Sequence, residues 1–159
     1  MTDHAEIDIP QPLETHAFEA TGARAIALQE LQGQALVLYF YPRDNTPGCT
    51  REGQDFRDLY KDFQAAGAEI IGVSRDSVKT HENFAAKHEF PFPLIADPDE
   101  VLCHHFGVIK EKNMYGRKVM GIERSTFLID QHGHIAHAWR KVKVPGHAEA
   151  VLEQVKRLA

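Results

Sequence analysis

The sequence predicts an α/β fold in three layers, with a mixed central β-sheet covered by helices on both faces. Three observations predict it. Ala35 to Tyr41 is an unbroken apolar run, rich in β-branched and aromatic residues and flanked by Gly33 and Pro42. Ala68 to Ser74 is a second run of the same kind. Between them, Phe56, Leu59, Tyr60 and Phe63 recur at helical spacing. Short apolar runs bounded by turn residues read as buried strands, and their alternation with helical patterns marks a layered α/β sheet.

Taken in order, residues 1–12 read as a tail that becomes extended around Ile7 to Pro10. Phe18 to Leu31, broken at Thr21 and Gly22, reads as short strands or a hairpin, an N-terminal β extension. The central strand Ala35–Tyr41 then leads into a long helix, about Pro47 to Ala66. Thr46 is placed to cap it, Pro47 suits its first position, and Gly67 closes it. After the strand Ala68–Ser74, Ser77 caps a helix running to about His88, with Val78, His81, Phe84 and Ala85 on one side. Phe92 to Ile95 is a short strand. Asp97-Pro98-Asp99-Glu100 opens a helix to Phe106, with an N-cap, a proline at the first position and an acid at the third. Lys110 to Val119, with Gly116, reads as a polar loop. Ser125–Ile129 and Ile135–Val142 are strands joined through Gln131-His132-Gly133. Gly146 to Leu158 is a last amphipathic helix on Ala150, Val151, Val155 and Leu158. This is the element order of a thioredoxin-like three-layer sandwich, expected as one domain over residues 1–159. In such open sheets function sits beyond the carboxyl ends of the strands, which is where the turn from Tyr41 to Cys49 falls.

Composition narrows the possible partners. The chain has 159 residues, 43% of them hydrophobic and 26% charged, and a net charge of −5. It has no basic footprint for nucleic acid or anionic membrane, and no apolar run approaches the roughly 20 residues that span a bilayer. Met1 to Glu6 is acidic and lacks the regions of a signal peptide, so the expected compartment is the cytoplasm. There, two cysteines point to redox chemistry or packing more than to a structural disulfide. His104-His105 and His132, His134 and His137 lack a completing ligand set, so no metal is expected. No glycine-rich nucleotide motif occurs, and no cofactor is expected.

Cys49 lies in the first turn of the long helix, where free N–H groups and the positive end of the macrodipole stabilise a thiolate. The pattern Pro42-x-x-x-Thr46-x-x-Cys49 resembles the active-site motif of the peroxiredoxins. The longer string Pro42-Arg43-Asp44-Asn45-Thr46-Pro47-Gly48-Cys49-Thr50 is similar to the bacterioferritin comigratory protein, or peroxiredoxin Q, branch. Gly121 to Gly133 resembles the second signature of that branch, with Arg124 as its arginine. The resemblance implies a monomeric thiol-dependent peroxidase that reduces hydrogen peroxide and organic hydroperoxides through Cys49. It also implies recycling by thioredoxin, glutaredoxin or a small thiol.

Such chemistry needs more than an ionised sulfur. Lowering a thiol pKa from about 8.5 to about 6 raises the thiolate fraction at pH 7 roughly 30-fold. That amounts to only about 2 kcal/mol. Donors aimed at the peroxide oxygens must supply the rest. The Thr46 hydroxyl, the Cys49 N–H and the Arg124 guanidinium are the candidates. Pro42 stiffens the turn and shields the sulfur, and Glu52 is placed either to orient an arginine or simply to favour the helix dipole.

Members of the resembled branch that carry a resolving cysteine place it five residues after the peroxidatic one or on the following helix. Those positions here hold Gln54 and Ala85. Cys103, beside Leu102 and Phe106, is expected to pack in the core, the alternative being a Cys49–Cys103 two-cysteine mechanism. A disulfide oxidoreductase would want a cysteine at position 46. A redox-sensing or chaperone-like protein with slow turnover is the remaining alternative.

Overall fold

The apolar run beginning at Ala35 has no polar face, and the fold puts it where none is needed. In a computed structural model, which describes residues 16–158, this run forms the interior of a seven-stranded mixed sheet. Ala17–Ala20 (β1) and Arg24–Ala27 (β2) pair as an antiparallel hairpin, followed by a single 3-10 turn at Leu28–Leu31. Ala35–Phe40 (β3) leads into the helix Pro47–Ala65 (α1), and Ala68–Ser74 (β4) into Val78–His88 (α2). Leu94–Ala96 (β5) precedes the short helix Val101–His105 (α3). Ile109–Met114 (β6) and Arg117–Ile122 (β7) form a separate two-stranded sheet. Ser125–Ile129 (β8), Ile135–Trp139 (β9) and the helix His147–Leu158 (α4) complete the chain.

The strand order is β2-β1-β5-β4-β3-β8-β9. β3, β4 and β5 run parallel, while β8 lies antiparallel to β3 on its other side. Side chains alternate across a strand, so β3 feeds two cores. Leu36, Leu38 and Phe40 join Ile71, Val73, Leu102, Cys103, Phe106 and Phe127 on one face. Val37, Tyr39 and Tyr41 join Cys49, Phe56, Phe63, Phe84, Val151 and Val155 on the other. Helices α1, α2 and α4 therefore cover one face and α3 the opposite one, giving the thioredoxin-like sandwich that the element order predicts.

Several segments differ from their sequence reading. The expected polar loop at Lys110–Val119 is the β6–β7 hairpin, in register from Ile109 opposite Ile122 to Met114 opposite Arg117. Little of it is buried on either face, so it lacks the apolar alternation that announces a strand. Tyr115 and Gly116, at φ 52° and 78°, turn the chain in the left-handed conformations a tight hairpin requires. The helix expected from Asp97 begins only at Val101, because Glu100 takes a left-handed conformation at φ 62°. Asp97 still acts as the cap from a distance, its carboxylate accepting 2.9 Å bonds from the N–H groups of Val101 and Cys103. The strand from Ile135 ends at Trp139 rather than Val142. The expected extended tail at Ile7–Pro10 lies outside the described residues.

Gly72 shows how tightly the α1 side of the sheet is filled. A Cβ built there would lie 2.8 Å from both Leu94 Cδ2 and Tyr39 Cζ. Gly72→Ala should therefore cost roughly 1–3 kcal/mol through overpacking, read as a lower urea midpoint with an unchanged slope. An unaltered midpoint would mean that the Tyr39 ring yields without strain.

Candidate active site

At the carboxyl end of β3 the chain leaves the sheet but stays fastened to it. The Tyr41 N–H donates to the Val73 carbonyl at 3.1 Å. The Tyr41 hydroxyl donates to Asp44 Oδ1 at 2.6 Å, and Asp44 Oδ2 lies 2.6 Å from Nδ1 of His81 on α2. The other ring nitrogen of His81 lies 3.0 Å from the Ile95 carbonyl. Asp76 Oδ2 accepts from the Asp44 N–H at 2.8 Å and from the Ser74 hydroxyl at 2.6 Å. Asp44 and His81 are buried, so these bonds are strong and costly to leave unmade. The loop Pro42–Asp44 is thus clamped to β4, α2 and β5. The ligand-type atoms of Asp44, Asp76 and His81 lie within 4.8 Å of one another. Each is already engaged in a hydrogen bond of this clamp.

Asn45, at φ 63°, then swings the chain into α1. Thr46 has the extended backbone of an N-cap, and its carbonyl accepts from the Thr50 N–H at 2.9 Å. Its side chain does not cap the helix, in contrast to the sequence expectation. The hydroxyl turns back and donates to the Arg43 carbonyl at 2.9 Å, because the loop brings that acceptor within reach. The Cys49 N–H is thereby left free of a side-chain cap.

Cys49 is buried, and its sulfur faces a cation delivered from the turn that leads into β8. Arg124 sits in the turn between β7 and β8, its carbonyl held by the Val142 N–H at 3.0 Å. Its Nη2 lies 3.4 Å from Cys49 Sγ, and its Nη1 donates to Glu52 Oε1 at 2.6 Å. Gly48 makes the approach possible, since a Cβ there would meet Arg124 Nη2 at 3.0 Å. Glu52, one helical turn beyond Cys49, is 1% exposed, and its Oε2 has no hydrogen-bond partner. Burial pushes its carboxyl up to about 7, against the pull of the Arg124 charge. Burial chiefly, and the Arg124 charge after it, lowers Lys112 of β6, whose ammonium donates to the Ile122 carbonyl. The ring of His147 lies 2.8 Å from the Thr126 hydroxyl and is brought down to about 4, first by burial and then by Arg124.

Of the residues singled out in the sequence, Cys49 and Arg124 meet directly, and Thr46 stands at the cap of the same turn. Pro42 is half-buried at the mouth of the loop, where it lines an open depression of about 360 Å³ with Arg43, Arg75 and Pro98. Cys103 is not brought to the site. It is fully buried in the core on the opposite face of the sheet, where burial and then Asp97 push its thiol far above its ordinary value. The two-cysteine alternative through Cys103 has no geometric basis. Sequence reading missed the Asp44–His81 clamp, although a histidine on the apolar side of α2 was a visible signal of burial. Lys112 was missed along with the hairpin that carries it.

A thioredoxin-like sheet with a buried cysteine at a helix start, bridged by arginine to a carboxylate, places the protein in the class of thiol redox enzymes. Residues 11–138 match the AhpC/TSA family. The chain is 55% identical over 156 residues to peroxiredoxin Bcp of Xanthomonas campestris, covering 98% of this chain and 97% of that one. It superposes with a TM-score of 0.90 on a structure of the bacterioferritin comigratory protein of the same organism, described in terms of alkyl peroxide reduction. That match has 54% identity and covers 95% of this chain and 96% of the other. Two cysteine-to-serine mutants of peroxiredoxin Q from that organism match with TM-scores of 0.93 and 0.92, at 54% and 53% identity and with 99% of this chain covered in each case. They cover 100% and 99% of those chains, and their replaced cysteines are separated by the interval that here separates Cys49 from Ala85. The chain belongs to the AhpC/TSA family, in its peroxiredoxin Q and Bcp branch, and is a thiol-dependent peroxidase.

The raised Glu52 carboxyl gives folding a pH dependence whose sign is fixed. The folded chain holds this proton to about pH 7, whereas the unfolded chain releases it near 4.5. The associated stability is complete below pH 4.5 and lost as pH rises through 7, about 3 kcal/mol in all. Glu52→Gln removes that loss. Relative to the parent, the variant should gain that amount between pH 4.5 and about 7.5 in urea titrations. A difference that stays flat across the window would place Glu52 ionised at its ordinary pH in the folded chain.

Proposed function

We propose that Cys49 is the peroxidatic residue and that Arg124, Thr46 and Pro42 build the environment in which it attacks. The observation that carries this reading is the Arg124 guanidinium, which reaches Cys49 Sγ with one nitrogen and Glu52 with another. In the reaction the thiolate displaces one oxygen of the O–O bond. The sulfur loses two electrons and becomes a sulfenic acid, while the other oxygen leaves with the bonding pair and takes up a proton to become water or an alcohol. Arg124 and the uncapped Cys49 N–H donate to the oxygens as charge shifts onto them. The Thr46 hydrogen is committed to the Arg43 carbonyl, so Thr46 presents a lone pair. It accepts a hydrogen bond from the hydroperoxide O–H, which orients the substrate rather than stabilising its charge. Pro42, without an N–H, offers no competing donor on the outer side.

The substrates under this reading are hydrogen peroxide and organic hydroperoxides, in keeping with the alkyl peroxide reduction described for the Xanthomonas relative. Positions 54 and 85 hold Gln and Ala, and Cys103 is packed in the core on the opposite face of the sheet, so the sulfenate has no thiol beside it to form an internal disulfide. Thioredoxin, glutaredoxin or a small thiol then supplies the reducing electrons. A thiol-driven cycle fits the reducing cytoplasm, and no helix among the described residues is long and apolar enough to cross a membrane.

Cys49→Ser should abolish peroxide consumption in a stopped-flow assay, and full activity in that variant would remove Cys49 from the reaction. Arg124→Ala, through lost charge stabilisation, and Thr46→Val, through lost orientation of the substrate, should each slow the peroxide step by roughly 100-fold or more. That exceeds what thiolate fraction alone can account for, about 30-fold at most. The second-order rate, measured beside thiolate absorbance across pH, separates the two. A loss explained wholly by ionisation would leave Thr46 and Arg124 with no part in the transition state.

Intact mass provides the test of recycling. Excess peroxide without reductant should add two or three oxygens at Cys49, while an added small thiol should protect it as a mixed disulfide. A high yield of monomer lighter by two hydrogens, with the Cys49 and Cys103 peptides joined, would overturn the one-cysteine cycle.

A further inference from the structure

The β6–β7 hairpin has no role in the chemistry above, yet it bears the most unusual surface of the molecule. Met114, Tyr115, Val119 and Met120 are four of the six large apolar side chains exposed among the described residues. Tyr115, at the tip, is wholly exposed, and Met114 and Met120 are 55% and 56% exposed. Clustered exposed apolar groups mark interaction surfaces far more often than scattered ones do. Tyrosine and methionine are also enriched in protein interfaces. The same hairpin carries Lys110, Lys112, Arg117 and Lys118 against the single acid Glu111, in a chain whose net charge is −5. It is a basic, apolar finger on an acidic protein.

Its place is as telling as its composition. The hairpin ends at Ile122, two residues before Arg124, and Lys112 reaches the Ile122 carbonyl. Arg75 Nη1 lies 3.4 Å from the Met120 carbonyl and also lines the depression beside Pro42. One continuous surface therefore runs from Tyr115 through Met120 and Arg75 to the loop that carries the reactive turn.

We propose that this hairpin is the docking surface for the protein that reduces oxidised Cys49, a small acidic thiol protein with an apolar patch around its own reactive cysteine. The proposal rests on the external-thiol cycle argued above. A partner thiol attacks the sulfenic acid, an S–S bond forms and water leaves. A second thiol of the partner then displaces Cys49, which returns reduced while the partner departs as a disulfide with two electrons fewer. The attacking sulfur must come to bonding distance of Cys49 itself, since no thiol of this chain can relay the electrons. The partner must therefore cover the rim of the site, and on that rim the hairpin offers both apolar contact and positive charge. Charge complementarity raises association rates and makes them salt-sensitive.

The test compares Met114→Ser/Tyr115→Ser/Met120→Ser and, separately, Arg117→Glu/Lys118→Glu with the parent. All five side chains are solvent-exposed and outside the reacting groups. Turnover is measured with dithiothreitol, with thioredoxin, its reductase and NADPH, and with glutathione and glutaredoxin. Both variants should lose about tenfold in kcat/KM for a protein reductant, with peroxide rates and dithiothreitol-driven turnover within about twofold of the parent. The charge-reversed variant should also lose the salt dependence of that step. Parental rates with protein reductants in both variants would overturn the proposal. So would an equal loss with dithiothreitol, or a parent that turns over with dithiothreitol but takes electrons from neither protein system. Concentration-dependent dimerisation, or binding to anionic phospholipid vesicles, that disappears in the same variants would instead assign the surface to a second copy or to a membrane. A parent inactive with every reductant would fail the peroxidase reading itself, a different result from any of these.

Discussion

The guanidinium of Arg124 is the point on which the site depends. It is planar and permanently charged, and it presents several N–H groups in a fixed fork. Nη2 faces a sulfur and Nη1 a carboxylate, so one side chain fixes the relative positions of two groups on α1 from a turn on the other side of β3. Several other features follow from that placement. A Cβ at position 48 would press on the guanidinium at 3.0 Å and push it out of line. The antiparallel pairing of β8 beside β3 brings residue 124 level with the start of α1. The carbonyl of Arg124 is itself tied to Val142, which stops the turn from drifting.

Glu52 is the less comfortable member of this arrangement. A carboxylate buried with one oxygen unpartnered carries a desolvation cost that a single ion pair offsets only in part. That cost is visible as a carboxyl held half-protonated near neutrality. In return, the arginine cannot swing out to water without abandoning a buried acid, so the fork stays aimed at the sulfur. The site gains preorganisation from a pair that contributes little net stability above neutral pH.

Much of this was readable from residues in line. The Ala35 run gave the central strand, and Thr46-Pro47-Gly48-Cys49 gave the helix start. The two motif strings placed Cys49 and Arg124 in one site. What escaped depended on partners distant in sequence or on local choices between equivalent bonds. His81 was legible as a buried histidine on the apolar side of a helix, but its partner Asp44 lies 37 residues earlier and no periodicity connects them. The Thr46 hydroxyl could satisfy either a first-turn N–H or the Arg43 carbonyl, and only the fold of the loop decides for the carbonyl. The β6–β7 ladder is held by backbone hydrogen bonds between strands exposed over most of both faces, and its apolar residues follow no strand alternation, so hydropathy did not mark it.

The sheet that separates the two cysteines also makes the folded chain a protein with one addressable thiol. Cys49 stands beside the Arg124 guanidinium at the start of α1, while Cys103 is enclosed on the opposite face, where burial pushes its thiol far above its ordinary value. Both sulfurs are buried, but only Cys49 lies in the turn where the chain leaves the sheet, so a small alkylating reagent should reach it well before Cys103. Cys103 would then report something else. It becomes available only when the core beneath β3 opens, so its alkylation under native conditions clocks the rare unfolding of the molecule.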